Sequence, residues 1–135
     1  MKLLALDFDG VVSDSAREAF AVARRTYTDL RPGSSLRDAP EEPLWRAFRA
    51  LMPLGNRAED YAVLLAAIVR GVPLPDQAAY DAFRASLAPE RLRAFHKRFY
   101  RVRAAWAERD PSGRLAQMRP YPGFCELLRR RAGDV

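Results

Sequence analysis

Only one segment of this chain, Lys2 to Phe8, has the residue pattern of a β-strand. Its apolar residues run continuously instead of alternating with polar ones, which is typical of a parallel strand buried on both faces. About six helical segments follow, and no other segment carries a comparable strand signal. Because a buried parallel strand needs neighbouring strands, we expect a mostly α chain that carries the first strand of an α/β core without the rest of that core.

The helical segments are separated by breaks rich in proline and glycine. We expect Ser13 or Asp14 to cap the first helix, Asn56 to cap the third with Glu59 as its capping-box partner, and Asp76 to cap the fourth. The fifth is expected to begin at Pro89, a favoured first position. The predicted ranges are about 15–30, 42–52, 57–70, 77–88, 89–109 and 124–133.

Composition excludes several kinds of site. The 135 residues are one domain's worth of chain, with a single cysteine, Cys125, and a single histidine, His96. An internal disulfide, a thiolate metal site and a zinc site with two imidazoles are therefore excluded, and a Ser/His triad is disfavoured. The net charge of +6 comes mainly from dispersed arginines without a base-stacking motif, so we expect no nucleic-acid partner.

Two segments of the sequence are apolar, and neither is long enough to be a signal peptide or a membrane-spanning helix. The N-terminal run up to Leu6 is too short for the core of a signal peptide. The run from Tyr61 to Val69 is less than half of a membrane span. We therefore expect a cytoplasmic protein with no membrane partner.

Asp7 and Asp9 stand at the end of the predicted strand. Alternate residues of a strand point the same way, so the two carboxylates can face one site, where ligands of open α/β sheets bind. Gly10 has no side chain, so a phosphate can approach its N–H closely. Two close carboxylates repel each other unless a cation or proton intervenes, which indicates Mg²⁺ bound by Asp7 and Asp9. One carboxylate can attack phosphorus while the other handles a proton.

A simple hairpin turn at Asp9-Gly10 is the alternative interpretation of this motif. It is disfavoured because the residues after Val12 have helical and not strand spacing.

The segment from Leu3 to Ser15 resembles the first motif of the haloacid dehalogenase (HAD) superfamily. That resemblance implies that Asp7 is a nucleophile forming an aspartyl-phosphate. It also implies that Asp9 is a general acid/base whose main-chain carbonyl helps to hold Mg²⁺. The pair Asp14-Ser15 matches members in which a helical cap is inserted directly after this motif. The segment from Arg119 to Phe124 resembles the return from that cap to the core.

The resemblance implies a HAD-like Rossmannoid core with an inserted all-helical cap. It divides the chain into a first strand and nucleophile loop (1–14), a helical cap (15–110), and a return segment with a core helix (111–135). The family's later motifs are a Ser or Thr after a second strand, a lysine and an acidic pair. They have no counterpart here, and Lys97 lies in the predicted cap. We therefore expect a truncated chain that is inactive by itself.

Several other polar residues have competing interpretations. Asn56 and Arg57 lie between two predicted cap helices, where this fold places substrate-specificity residues, although Asn56 also fits a simple helix cap. Arg46 and Arg49 are interpreted as solvated, with substrate contact as the alternative. His96 is expected at the surface, and Cys125 in the core.

The sequence as a whole favours a Mg²⁺-dependent HAD-like hydrolase. Its substrate would be a small phosphorylated metabolite, and phosphatase and phosphomutase chemistry remain unseparated. An aspartate at position 9 argues against a dehalogenase, because the halide-releasing members of the family that the chain resembles generally lack this acid. The alternatives are a non-catalytic helical interaction module, a defunct fragment of such an enzyme and, more remotely, a basic nucleic-acid binder.

Overall fold

The computed structural model describes residues 5–132, and most of them are helical. The elements, in chain order, are β1 (Ser13–Asp14), α1 (Ala16–Leu30), α2 (Glu41–Leu51), a 3-10 turn (Met52–Leu54), α3 (Ala58–Arg70), α4 (Gln77–Ala85), α5 (Pro89–Arg109), α6 (Pro111–Leu115), β2 (Arg119–Pro120) and α7 (Phe124–Ala132). The predicted mostly α composition is confirmed.

Helix α3 lies at the centre of the helical bundle. Helices α1, α3 and α5 pack against one another, α2 packs on α1 and α3, α4 on α3, and α6 on α5. Every residue from Tyr61 to Ala67 is buried, because α3 is covered on several sides. Its continuous apolar run is therefore that of a central bundle helix. Among the described residues, every helix is too short or too polar to cross a membrane.

A line of aromatic rings joins the four longest helices through the core. Phe20 of α1 lies 5.4 Å from the Trp45 ring and 5.2 Å from the Phe48 ring, both on α2. Tyr61 of α3 continues the line, 5.5 Å from Phe48 and 5.7 Å from Phe99 of α5. Tilted contacts at these distances stabilise aromatic pairs beyond simple area burial. Trp45 is itself buried.

The two short strands lie side by side where the chain enters and leaves the bundle. Strand β1 pairs antiparallel with β2, Ser13 opposite Pro120 and Asp14 opposite Arg119. The Tyr121 N–H also donates to the Val12 carbonyl at 3.1 Å. Helices α1 to α6 are therefore enclosed between two paired segments.

The strand predicted over Lys2–Phe8 is wrong for the part that the structure describes. Ala5 to Phe8 belong to no strand and are exposed, Leu6 by 43% and Phe8 by 49%. The physical reason is that no neighbouring strand within residues 5–132 takes up their backbone hydrogen bonds. Residues 2–4 of the predicted strand lie outside the described residues. Asp9 makes one isolated parallel bridge, to Ser13.

Helix boundaries agree with the predictions except at three places. Asn56 does not cap α3, because the N-cap is Arg57, whose N–H donates to Asp60 Oδ2 at 3.0 Å. Glu59 is therefore not the capping partner. Helix α4 ends at Ala85 instead of near Ala88, and α6 was not predicted.

The cap expected for the fourth helix is confirmed, and that expected for the first is wrong. The N-cap of α1 is Ser15; the Asp14 carboxylate accepts the Ala16 N–H at 3.1 Å, and the Ser13 hydroxyl has no partner among the described residues. Asp76 accepts the Ala79 N–H at 2.8 Å, as a capping side chain should.

Candidate functional site

The loop that carries the motif is closed on itself by backbone hydrogen bonds. The Phe8 carbonyl accepts the N–H groups of Val12 and Ser13, both at 3.1 Å, and the Gly10 N–H donates to the Ser13 carbonyl at 2.9 Å. Gly10 has a φ of 76°, a left-handed conformation that glycine adopts without strain. The predicted phosphate donor at Gly10 is thus engaged inside the loop.

A cavity of 630 Å³ opens beside this loop, and a volume of this size suits a small ligand. We call it the loop cavity. Asp9 and Gly10 line it together with Asn56 and Arg57, which come from the connection between the 3-10 turn and α3. The loop cavity is also lined by Asp14, Ser15, Ala16, Ala19, Met52, Ala58, Glu59, Tyr61, His96, Phe99, Tyr100, Arg103 and Tyr121.

Asp7 does not join this group. It is exposed, does not line the loop cavity, and its Oδ1 accepts the N–H of Phe8 at 2.8 Å. The strand geometry that was expected to align Asp7 with Asp9 is not formed over Ala5–Phe8. Of the two predicted catalytic carboxylates, the structure places Asp9 at the cavity and leaves Asp7 outside it.

Asn56 and Arg57 are both exposed at the entrance to α3. The interpretation of Asn56 as a simple helix cap is wrong, since Arg57 holds that position. Arg46 and Arg49 are exposed on α2, and neither lines the loop cavity. The Arg49 guanidinium lies 5.8 Å from the centre of the Trp45 ring, as a stacked surface arginine.

Arg103 of α5 reaches the loop from inside the bundle. Its Nη2 lies 3.6 Å from Asp9 Oδ2, and its Nε donates to Glu18 Oε1 at 2.8 Å. Glu18 is fully buried in the first turn of α1 and also accepts the Arg114 Nε at 2.8 Å. Burial acts to lower the pKa of Arg103, but the hydrogen bond to Glu18 and the charges of Glu18 and Asp9 outweigh it and raise that pKa.

We call Glu18, Arg103 and Arg114 the guanidinium cluster, and sequence reasoning missed it. Glu18 looks like a common acidic residue of a helix first turn, which the helix dipole favours at the surface as well. Arg103 offered a signal, because it lies four residues after the buried Phe99 and so borders the apolar stripe of α5. A cation at that position needs a buried acidic partner.

Glu59 and His96 form a pair on the far wall of the loop cavity. His96 Nδ1 lies 2.8 Å from Glu59 Oε2, and the His96 ring is 5.0 Å from the Tyr100 ring. The hydrogen bond with His96 lowers the pKa of Glu59. His96 is exposed, as expected, but it joins α5 to the first turn of α3 at the cavity.

The donor chemistry of Asp7 and Asp9 suits Mg²⁺, but of the two only Asp9 lies at the loop cavity. Mg²⁺ binds through one or two carboxylates plus waters and phosphate oxygens. Within residues 5–132 no three or more metal-ligating side chains converge, and the Asp9 carboxylate is opposed by Arg103. No step of the reaction is therefore assigned to the ion.

Comparison with known proteins adds no relative: no family model, curated protein or solved structure matches the chain significantly.

Proposed function

We propose that this chain supplies the nucleophile loop and the helical cap of a HAD-like phosphohydrolase acting on a small phosphorylated metabolite. One observation carries the proposal. Asp9 and Gly10 of the motif line the same 630 Å³ cavity as Asn56 and Arg57, about 45 residues further along the chain. The loop cavity is thus lined both by residues predicted to carry the chemistry and by residues predicted to contact the substrate.

The pairing of β1 with β2 supports the same proposal. A cap inserted into a core must leave and return at neighbouring points, and the two strands flank α1 to α6 in that way. The bundle they enclose has its own buried core, as an inserted unit needs. The division into residues 1–14, 15–110 and 111–135 stays part of the proposal.

The proposed reaction is phosphoryl transfer to Asp7. The Asp7 carboxylate attacks phosphorus, the bond from phosphorus to the substrate oxygen breaks, and Asp9 gives that oxygen its proton. Asp9 then takes a proton from water as the water attacks the phosphorus of the aspartyl-phosphate. Inorganic phosphate leaves, and the Asp7 carboxylate is restored.

Two local changes would bring the loop to a reactive arrangement. Asp7 must exchange its hydrogen bond with the Phe8 N–H for a position at the loop cavity. Gly10 must release the Ser13 carbonyl so that its N–H can donate to a phosphate oxygen. The Asp7 bond lies in an exposed loop, where such a rearrangement costs little, whereas the Gly10 bond ends on Ser13, a buried residue of β1.

The resemblance also carries Mg²⁺ into the proposal, with Asp7 and Asp9 as the ligands from this chain. A bound ion would offset the charge of the two carboxylates and of the phosphate. The family's phosphate-binding Ser or Thr, its lysine and its acidic pair have no counterpart in these 135 residues. The proposal assigns those roles to groups outside this sequence.

Replacing Asp7 by asparagine in the protein as its own cells make it tests the proposal. Asp7→Asn keeps the size of the side chain and removes the nucleophile, so hydrolysis of phosphate monoesters should fall by at least about a thousandfold. Asp38→Asn is the matched control, since Asp38 is exposed and does not line the loop cavity. Activity that survives in Asp7→Asn would remove Asp7 from the reaction.

A non-catalytic helical interaction module is the second candidate function. The position of Asp7 outside the loop cavity favours it, because an unused motif has no reason to keep its carboxylates together. Such a module should be monodisperse in solution and bind no hydrophobic dye. An orphaned part of an enzyme should bind the dye through exposed residues such as Leu6 and Phe8.

A further inference from the structure

The guanidinium cluster contains more positive than negative charge. Glu18 is one carboxylate, while Arg103 and Arg114 are two cations, and both bond to the same oxygen of Glu18. Their side chains are 24% and 23% exposed, so water screens the surplus charge only in part. Charges in such a place are stable when a counter-charge is near.

Asp9 supplies the counter-charge, but it does so loosely. The distance of 3.6 Å between Arg103 Nη2 and Asp9 Oδ2 is longer than a hydrogen bond. The Asp9 side chain is also 52% exposed and stands on a loop. The terminal nitrogens of Arg103 therefore keep donors available near the opening of the bundle.

A second cavity, of 560 Å³, is lined by both arginines and by Asp9. Arg103, Arg114 and Asp9 are its charged lining residues. Phe8, Tyr100, Ala104, Ala107, Leu115 and Met118 complete the lining. Asp9 and Arg103 thus line both cavities, and Arg114 adds a second positive charge beside them.

We propose that Arg103, the cation that lines both cavities, binds the phosphoryl group of the substrate beside Asp9, that Arg114 adds positive charge next to it, and that Glu18 is the positioning residue of both arginines. A guanidinium presents a planar fork of N–H donors that matches phosphate oxygens. Because Glu18 holds each arginine through Nε, the fork is already oriented and loses little freedom when an anion binds.

This assignment deepens the proposed function and rests on it in one respect. The anion is the phosphoryl group of the proposed substrate, and the Asp9 carboxylate, 3.6 Å from Arg103, is the exposed negative charge that opposes its binding.

Calorimetric titration with inorganic phosphate, at low ionic strength and without added metal, tests the assignment. Arg103→Gln should weaken phosphate binding by about tenfold or more, because it removes charge-assisted hydrogen bonds. Arg101→Gln, an exposed neighbour on α5, makes the same charge change and should stay within about twofold. Asp9→Asn should tighten binding several-fold, because it removes the carboxylate charge that faces Arg103.

Arg103→Lys covers the case in which Arg103→Gln fails to fold, because lysine keeps the positive charge and loses the planar fork of donors. The Arg103→Lys protein should bind phosphate more weakly than the unaltered protein. Equal phosphate binding with and without Arg103, or unchanged binding in Asp9→Asn, would overturn the assignment. Binding that depends on Arg103 in a protein that never phosphorylates Asp7 would keep the assignment and reject the proposed reaction.

Discussion

Asp60 receives three hydrogen bonds where α3 meets α4. Tyr80 donates to Oδ1 at 2.6 Å, Arg84 donates to the same oxygen, and the Arg57 N–H donates to Oδ2 at 3.0 Å. Gly55 is required beside this group, because a Cβ there would lie 2.8 Å from Asp60 and from the Tyr80 hydroxyl. One buried carboxylate therefore fixes the start of α3 and the position of α4.

Removing this carboxylate should destabilise the bundle. Asp60→Ala leaves the buried Tyr80 hydroxyl and the α3 N-terminus without their acceptor, and we expect a loss of about 2–4 kcal/mol in the free energy of unfolding. Urea unfolding followed by circular dichroism measures it. Asp38→Ala, at an exposed position, should change the free energy by less than about 0.5 kcal/mol. Equal effects of the two changes would contradict this role.

Two buried tyrosines should make the fold sensitive to alkaline pH. Burial raises the pKa of Tyr61 to about 12, and burial together with the hydrogen bond to Asp60 raises the pKa of Tyr80 to about 12. In the unfolded chain a tyrosine ionises near pH 10. Their contribution is therefore complete below about pH 10 and is lost as the pH rises through about 12.

Because about pH 11 still lies below the folded pKa of about 12, the loss between about pH 9 and about pH 11 should be on the order of 1 kcal/mol for each tyrosine. Urea unfolding at about pH 9 and about pH 11 measures it, and Tyr80→Phe should reduce the difference. Tyr100→Phe is the control, because Tyr100 is 50% exposed. A difference between the two pH values that Tyr80→Phe and Tyr61→Phe leave unchanged would show that other groups cause it.

At the scale of elements, local signals were sufficient where they acted alone. The cap at Asp76 and the start at Pro89 could be read directly, since each depends on the chemistry of one residue. The cap of α3 could not be predicted in this way. Its acidic residue, Asp60, is held by hydrogen bonds from Tyr80 and Arg84, which lie 20 and 24 residues away. The predicted strand failed for the same reason, since apolar residues form a strand only beside a partner.

The connection between α1 and α2 receives three hydrogen bonds from one side chain. Arg24 donates through Nε to the Leu36 carbonyl at 3.0 Å, and through Nη2 to the carbonyls of Arg37 at 3.1 Å and Ala39 at 2.7 Å. A lysine has the charge but not the planar fork that spans three carbonyls.

Arg24→Lys should therefore loosen this connection. We expect about 1–2 kcal/mol of destabilisation and faster amide hydrogen exchange over residues 32–39. Arg25→Lys, at the exposed neighbouring position, should leave the exchange rates there unchanged. Unaltered exchange in Arg24→Lys would mean that the loop is held by its own turns.

At the scale of the whole molecule, the helical bundle was within reach of the sequence and the site was only partly so. Asp9, Gly10, Asn56 and Arg57 were each selected by local pattern, and the fold brings them to one cavity. The Glu18–Arg103 contact spans 85 residues, and no local pattern encodes such a distance. The position of Asp7 depends on backbone partners that residues 5–132 do not supply.

The most direct test of the account is to map phosphorylation on the protein isolated from its own cells. The protein is incubated with a phosphate monoester and Mg²⁺, quenched in acid and digested, and its peptides are weighed. We predict one phosphoryl group on the peptide that contains Asp7, and none in Asp7→Asn. Hydrolysis of the ester without a phosphoryl group on Asp7, or no reaction at all, would contradict the proposed function.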